Sequence, residues 1–508
     1  MSQINVTNLT FCYEGSFDNI FEDASFSIDT DWKLGFIGRN GKGKTTFLNI
    51  LLGKYSYSGV ISTNMIFDYF PYQISTEEME LCVSDFLERI KPGCEEWRVM
   101  CELGKMNVSA ELLYRPFGSL SHGERTKVLL AVLFSGENDF LLIDEPTNHL
   151  DQEARECVKG YLAQKKGFIL VSHDRDLLDA CIDHVLVLNR KNIEVQKGNF
   201  SSWWENKTRR DHFEKAENEK HLKEIADLKK SADRTDRWAQ KNENSKIGFN
   251  PVKEHDRFIS TRSYIGAKTK KMQARVKNYE KRIEREIEKK QDLLLDLETP
   301  VALKLYPMKY HKERLIICKD VTIGYESGKP DVLKQFSFEL MQGERVFLHG
   351  TNGCGKSTLI KALLAATQKE NVQSVQLSEG ELQTGAGLVI SYINQDTGFL
   401  HGDIKEFCKE KGLEESLFLA LLRQLDMDRV QFKKPLQEFS EGQKKKVLIA
   451  SSLMTPAHLY IWDEPLNYID VFSRMQIEEL LLKYQPTMIV VDHDIRFQEK
   501  IATRVVEM

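Results

Sequence analysis

At 508 residues the chain is too long to fold around one core and has room for two or three. Its 41% hydrophobic and 29% charged residues predict a soluble globular protein, and no run nears the roughly 18 apolar residues of a membrane span; the longest are short stretches such as Phe168 to Val171 and Ile489 to Val491. The opening MSQINVTNLTF has no basic-then-apolar leader, so no export signal is expected, and nine cysteines without a CxxC pair suit reduced thiols in cytosol better than disulfides or zinc.

The first informative element is a predicted strand, Leu34 to Ile37, followed by GRNGKGKT (Gly38 to Thr45) and an apolar helical run from Phe47 to Leu52. This is G-x-x-x-x-G-K-[ST] in its strand-to-helix setting. Backbone N–H groups freed by Gly38, Gly41 and Gly43, with Asn40 beside them, can wrap phosphate oxygens; Lys44 adds charge, and Thr45 offers a hydroxyl to Mg2+, with Thr46 next to it. Further on, LSHGER (Leu120 to Arg125) places Ser121 and Gly123 before an apolar helix, a weak anion-site signal by itself. LLIDEPTNHLD (Leu141 to Asp151) is an apolar strand ending in two carboxylates, of which Asp144 suits the Mg2+ position and Glu145 the polarisation of an attacking water. The next strand, FILVSHD, places His173 where a γ-phosphate could be sensed.

From Trp203 the pattern becomes long, charged and helical. Ala216, Leu222, Ile225, Leu228 and Ala232 keep a three-or-four spacing, as do Met272, Val276, Tyr279, Ile283, Ile287, Leu294 and Leu297. An antiparallel helical hairpin is predicted over 201–300 with its turn near 247–267, between a first domain at 1–200 and a second at 301–508. Residues 229–290 hold 19 Lys and Arg against 9 Asp and Glu in a chain whose net charge is −5. That segregation fits an arm that meets a polyanion, and equally a solvated helical spacer. At the turn Lys246, Phe249, Lys253, Arg257, Phe258, Arg262 and Tyr264 interleave cations with aromatics, the composition of a surface that touches phosphates and stacks on bases; aromatics that merely close a turn are the alternative.

The second half repeats the first. Predicted strand Val346 to Leu348 leads into a loop with Gly350, Asn352, Gly353, Gly355, Lys356, Ser357 and Thr358; FSEGQK carries Ser440 and Gly442, YIWDEPLNYID carries Asp463 and Glu464, and MIVVDHD carries His493. Corresponding residues lie 312 apart at Lys44 and Lys356, 319 at Ser121 and Ser440 and at Glu145 and Glu464, and 320 at His173 and His493. Two colinear copies leave little room for a chance glycine turn. Tyr13 precedes Gly38 by the same interval as Tyr325 precedes Gly350, so each is placed to stack on an adenine ring or to serve as strand core.

These motifs resemble the ATP-binding cassette (ABC) superfamily over both halves. The resemblance implies an α/β fold of two tandem ABC-type P-loop ATPase domains joined by the hairpin, facing head to tail, with ATP and Mg2+ as cofactors. One site would combine Lys44, Thr45, Asp144, Glu145 and His173 with Ser440 and Gly442; the other Lys356, Ser357, Asp463, Glu464 and His493 with Ser121 and Gly123. His122 and Glu441 stand where the common signature LSGGQ has a glycine. Gln395, in SYINQD, looks like the family's metal-contacting glutamine, whereas Gln73 in YFPYQ falls one position later than expected.

Two cassettes in one chain with a charged linker and no membrane domain are similar to the ABC-F family of ribosome-associated ATPases. WKLGFIGRNGKGKTT, FGSLSHGERTKVLLA and YIWDEPLNYIDVF look most like its Lsa-type ribosome protection group. The intervals from Gln73 to Ser121 and from Gln395 to Ser440 are nearly equal, which leaves no room for the arm some family members insert in the first cassette. The short stretch from His493 to Met508 predicts no C-terminal extension. The resemblance implies a cytoplasmic monomer with an intramolecular ABC pair. Its linker would enter the ribosomal E site near 23S rRNA and P-site tRNA, and protect against lincosamides, streptogramin A and pleuromutilins by displacing drug. A housekeeping translation factor, an exporter motor with a separate membrane partner and a DNA-bound ATPase stay open as alternatives.

Overall fold

Segments that are apolar along their whole length, rather than at alternate positions, form the centres of two sheets covered on both faces. The computed structural model describes residues 3–13, 19–41, 43–136, 139–148, 150–188, 193–244, 281–282, 304–325, 331–351, 353–368 and 375–508. Every residue of Phe168–Val171, Leu459–Asp463 and Met488–Val491 is buried. The chain divides into two compact units, residues 1–203 with 301–508, and residues 204–300.

In the first unit, the sheet of the N-terminal half runs in the order Ile66–Phe70, Asp139–Asp144, Phe168–Val171, Lys33–Gly38, His184–Leu188, Ile193–Lys197, parallel except for the last strand. The C-terminal half repeats it with Ile390–Ile393, Leu459–Asp463, Met488–Val491, Arg345–His349 and Arg504–Glu507, all parallel. A three-stranded antiparallel sheet covers one face of each, with Gln3–Phe11 central in the first and Arg314–Gly324 in the second. Phe36, Phe47, Leu142 and Ile169 pack with Ile4, Val6 and Leu9 in one core, and Val346, Leu359, Ile461 and Ile489 with Leu315, Val321 and Ile323 in the other. On the opposite face of the second sheet, helices contribute Phe418, Leu422, Ile477 and Phe497 around Trp462, whose indole N–H donates to Ser452 Oγ at 3.0 Å.

Register decides where the chemistry gathers. Asp144 pairs with Val171 and Asp463 with Val491, so the paired acids and the histidines emerge at the same carboxyl edge as the loop after the Gly38 or His349 strand. Ligands of open parallel sheets bind at that edge, where strand order reverses.

The predicted first helix of the linker is present as Phe200–Asn244, 45 residues, or roughly 65 Å at 1.5 Å per residue. Its less exposed line is Asp211, Glu214, Asn218, His221 and Ile225, whereas Ala216 and Leu222 of the predicted stripe are exposed. The spacing identified a helix but not its inward face, because long polar side chains can cover a helix surface as apolar ones do. The predicted turn, its second apolar run and all seven cationic and aromatic residues named at its tip lie outside the described residues.

The two halves of the first unit meet through a cluster of ions, buried on one side and partly exposed on the other. Arg175 is 4% exposed and grips Glu478, itself 0% exposed, through its two terminal guanidinium nitrogens, at 2.5 and 3.2 Å; its Nη2 also lies 3.5 Å from Asp494. Asp494 is further bonded by Arg474 at 3.0 Å, and Lys500 reaches Glu478 at 3.0 Å. In return Arg496 donates to Asp176 and Asp179, each at 2.5 Å. Removing one member of such a cluster leaves buried charge uncompensated, whereas an apolar pair of similar volume tolerates the site. Arg175→Ala is therefore expected to lower stability by about 3 kcal/mol in urea unfolding, and Arg175→Met with Glu478→Leu to recover most of that loss.

Candidate active site

Each glycine-rich loop turns through a backbone conformation that only glycine enters freely. Gly43 has φ of 104°, and a Cβ there would lie 2.4 Å from Ile20 Cγ2. The loop opens helix Lys44–Leu51, and its counterpart opens Lys356–Gln368, so each lysine sits in a first turn whose N–H groups point outward. Lys44 Nζ donates to Gly38 O at 2.6 Å and Asn40 Oδ1 at 3.3 Å; Lys356 Nζ donates to Gly350 O at 2.7 Å and Thr351 O at 2.9 Å. Burial lowers the Lys44 ammonium's affinity for its proton, against Asp470, Glu145 and Asp144, which act to retain it.

A cavity of about 590 Å³ joins the halves at the first loop. Asn40, Gly41, Lys44, Thr45, Asp144, Glu145 and His173 line it from the first half, and Ser440, Gly442 and Lys446 from the second. Asn40 Nδ2 donates to Tyr468 O at 2.7 Å across the seam, and Arg39 to Asp426 at 2.9 Å. A Cβ on Gly442 would approach Tyr468 O to 2.6 Å, which is why glycine stands there. The second cavity, about 500 Å³, holds Gly353, Gly355, Lys356, Ser357, Thr358, Tyr325, Gln395, Glu464 and His493. From the first half it receives His122 and Arg155; Ser121 and Gly123, expected there, do not line it.

Both signature serines cap their helices. Ser121 Oγ accepts from Glu124 N while Glu124 accepts from Ser121 N, and Ser440 does the same with Gln443. The S-x-x-E/Q spacing is a capping box legible in the sequence, which explains the residue type at these turns without any ligand. Gly38, Gly43, Thr46 and Gly350 lie outside the cavity linings, and Asn352 outside the described residues. Tyr13 and Tyr325 stand beside the loops, their hydroxyls 2.7 Å from Thr46 Oγ1 and 2.9 Å from Thr358 Oγ1. Tyr13 is 42% exposed, with its ring edge-on to Phe11 and Tyr55, so it is not strand core.

The carboxylates are held in strain and are mostly, not fully, covered. Glu145 and Glu464 have φ of 50° and 47°, in the left-handed region a non-glycine residue rarely enters, and each N–H donates to the neighbouring strand at Val171 O or Val491 O. Burial, then the adjacent Asp144, pushes the Glu145 carboxyl up to about 8. Burial likewise raises Glu464. A carboxylate of raised basicity is suited to accept a proton from water. His173 Nε2 lies 3.4 Å from Glu145 Oε1, and His493 Nε2 lies 4.0 Å from Glu464 Oε1. Burial and then Lys44 hold the His173 imidazole well below its ordinary value; burial and then Arg155 bring His493 down to about 4. Both rings are neutral at pH 7.

The donor set beside each lysine fits a small divalent cation. Thr45 Oγ1 donates to Asp144 Oδ2 at 3.0 Å, while Asp463 is 2% exposed, with its Oδ1 buried and unpartnered among the described residues. A hydroxyl and a carboxylate side by side, with no larger acidic cluster among the described residues, match an ion that completes its coordination with phosphate and water.

The sequence model of the ABC transporter family matches residues 21–148 and 333–467, which contain both loops, both serine turns and both acid pairs. The chain belongs to that family. Its cassettes are ATP-binding and those of an ATP-hydrolysing enzyme, of the ABC-F type. Ribosome protection protein VmlR of Bacillus subtilis is 27% identical over 508 residues, spanning 98% of this chain and 85% of the relative. Erythromycin resistance ATP-binding protein MsrA of Staphylococcus epidermidis is 27% identical over 483 residues, 93% of this chain and 91% of the relative. A solved structure of the archaeal ribosome recycling factor aABCE1 with stalk protein aP1 superposes with a TM-score of 0.58 at 18% identity, over 98% of this chain and 87% of that one; it shares the fold.

Reading the motifs one cassette at a time missed Arg155. It donates to Leu150 O in its own cassette and to His493 O across the seam at 3.4 Å, with Asp174 at 3.6 Å. Its repeat partner Arg474, at the same offset that separates Glu145 from Glu464, was the available signal. In a Lys44→Ala background, where only the second cassette's loop lysine remains, Arg155→Ala is expected to slow phosphate release by roughly fivefold to tenfold at saturating MgATP. The same change in a Lys356→Ala background should leave the rate within a factor of two.

Proposed function

We propose that the chain acts as a monomer whose own two cassettes pair, that it closes on two MgATP, and that in this state it binds the ribosome and protects it from antibiotics of the peptidyl transferase centre. The observation that carries the ATP part of the reading is the first cavity, where Lys44 and Thr45 of one cassette face Ser440 and Gly442 of the other. A nucleotide there would touch both cassettes, so its binding energy is available to hold them together.

In this reading Lys44 and Lys356 neutralise phosphate oxygens, and Thr45 with Asp144, and Ser357 with Asp463 and Gln395, hold Mg2+. The ion would supply charge neutralisation between the outer phosphates. Glu145 and Glu464 each orient a water and take its proton, and the neutral His173 and His493 report the terminal phosphate to that carboxylate. Phosphoryl transfer asks a protein mainly for such placement. Hydrolysis removes the terminal phosphate shared by loop and signature, and the cassettes part.

Support for the ribosome as partner comes from two directions. The relatives' names speak of ribosome protection and of erythromycin resistance. Residues 229–290, with 19 basic and 9 acidic side chains, give a cytoplasmic ATPase a segment suited to RNA phosphates. The arm would reach the E site, approach 23S rRNA and P-site tRNA with its tip, and displace lincosamide, streptogramin A or pleuromutilin.

Glu145→Gln with Glu464→Gln is expected to retain ATP, to cosediment with 70S ribosomes in MgATP, and to hydrolyse at less than about a hundredth of the wild-type rate. Expression of the wild-type chain should raise the inhibitory concentration of those drugs in a susceptible host. Ribosome binding without any change in susceptibility would favour a housekeeping translation factor, and cosedimentation with membranes instead of ribosomes an exporter motor.

A further inference from the structure

The two metal positions are built differently, and strand register locates the difference. Tyr69 pairs with Leu142 and Phe70 with Ile143 in the first sheet; Tyr392 pairs with Ile461 and Ile393 with Trp462 in the second. Leu142 and Ile461 each stand two positions before the metal-site Asp of their strand, Asp144 and Asp463. Tyr69 and Tyr392 are thus equivalent, and so, counting on, are Pro71 and Asn394, then Tyr72 and Gln395. No glutamine stands at the first cassette's position. Gln73 is exposed and absent from the cavity lining, and its carbonyl is taken by Arg89. Tyr72, which holds the glutamine's place, turns away and donates to Asp68 at 2.6 Å.

The equivalent tyrosines have exchanged tasks. Tyr392 donates to Asn394 Oδ1 at 3.2 Å, two positions further along the chain, which leaves Gln395 to line the second cavity and bond Glu464. Pro71 offers no such side-chain acceptor. Tyr69 instead donates to Asp144 Oδ2 at 3.2 Å, the oxygen that Thr45 also bonds at 3.0 Å. The Lys54 ammonium lies over its ring, 5.4 Å from the centre. Asp463 Oδ1 in the second cassette has no partner among the described residues.

Resting on the reading that both sites take MgATP, we propose that Tyr69 is the positioning residue for the first site's metal carboxylate, replacing there the glutamine of the second site, so that the two sites depend on different side chains to hold Mg2+. The phenol fixes Asp144 in the rotamer that faces Thr45 before the ion arrives, and a pre-oriented ligand binds a cation more tightly than one that must be ordered.

The test measures binding rather than turnover. A non-hydrolysable ATP analogue is titrated by calorimetry at a series of Mg2+ concentrations into Lys356→Ala protein, which leaves the first site, and into Lys44→Ala protein, which leaves the second. Tyr69→Phe keeps the ring and its Lys54 contact and removes one hydroxyl. It should raise the Mg2+ needed for half-maximal binding at the first site by roughly fivefold to tenfold, leave the second site unmoved, and leave thermal unfolding within about two degrees. Pro71→Asn, which offers Tyr69 the acceptor Tyr392 has, should act in the same direction without touching the phenol. An unchanged Mg2+ requirement in both variants, with analogue still bound, overturns the role of Tyr69. Failure of the Lys356→Ala protein with native Tyr69 to bind the analogue at any Mg2+ concentration overturns the two-site reading beneath it. A loss of equal size at the second site assigns Tyr69 a general structural role and sinks the proposal as well.

Discussion

Arg175 carries a guanidinium out of the first cassette into a place in the second that water does not enter, and the geometry of both composite cavities follows from that contact. Taking a guanidinium and two carboxylates out of water is expensive, and only close, multiply bonded geometry offsets it. Glu478 accepts from both nitrogens of Arg175 and from Lys500, and Asp494 is shared between Arg175 and Arg474. A salt cluster of this kind tolerates little displacement, so it acts as a register pin. With the pin in place, Asn40 reaches Tyr468 O and Arg155 reaches His493 O across the seam.

The pin is not symmetric, although the cassettes are repeats. The histidine strands continue as HDRD in the first cassette and HDIR in the second, so Arg175 has Ile495 as its counterpart and Asp176 has Arg496. Each half thus contributes one arginine to the other, but from different positions: Arg175 enters a buried pocket, while Arg496, 32% exposed at its side chain, lies across Asp176 and Asp179 near the surface. An interface with one dry and one wet arginine has a stiff side and a compliant side. Exposed pairs contribute little and are screened by salt, while the buried bidentate pair is neither.

How much of this was legible in the residues follows from what each signal depends on. Loops, acids and histidines were readable because phosphate chemistry allows few residue types at a fixed spacing, and because the spacing occurs twice. The composite character of the first cavity followed from family resemblance, and the same rule placed Ser121 and Gly123 in the second, where His122 and Arg155 stand instead. Cross-seam partners such as Arg175 and Arg155 carry no local pattern; a charged residue on a helix reads as solvent-facing until the other half is docked against it. Along helix Phe200–Asn244 the three-or-four spacing gives the period of a helix but not its rotation, and of the stripe's described positions Ile225 is buried while Ala216 and Leu222 are exposed.

The misplaced glutamine was the sequence anomaly with the largest structural consequence. Tyr72 falls where the repeat has Gln395, so the side chains between the shared motifs differ from one cavity to the other. In the first, Asp144 and Glu145 face Lys44, with Arg39 and Lys444 drawing off Asp426 and Glu441; in the second, Asp463 and Glu464 face Lys356, and Arg155 reaches in from the other cassette. A repeat that keeps its motifs while changing the side chains between them can keep the same acids at both sites and still hold them through different neighbours.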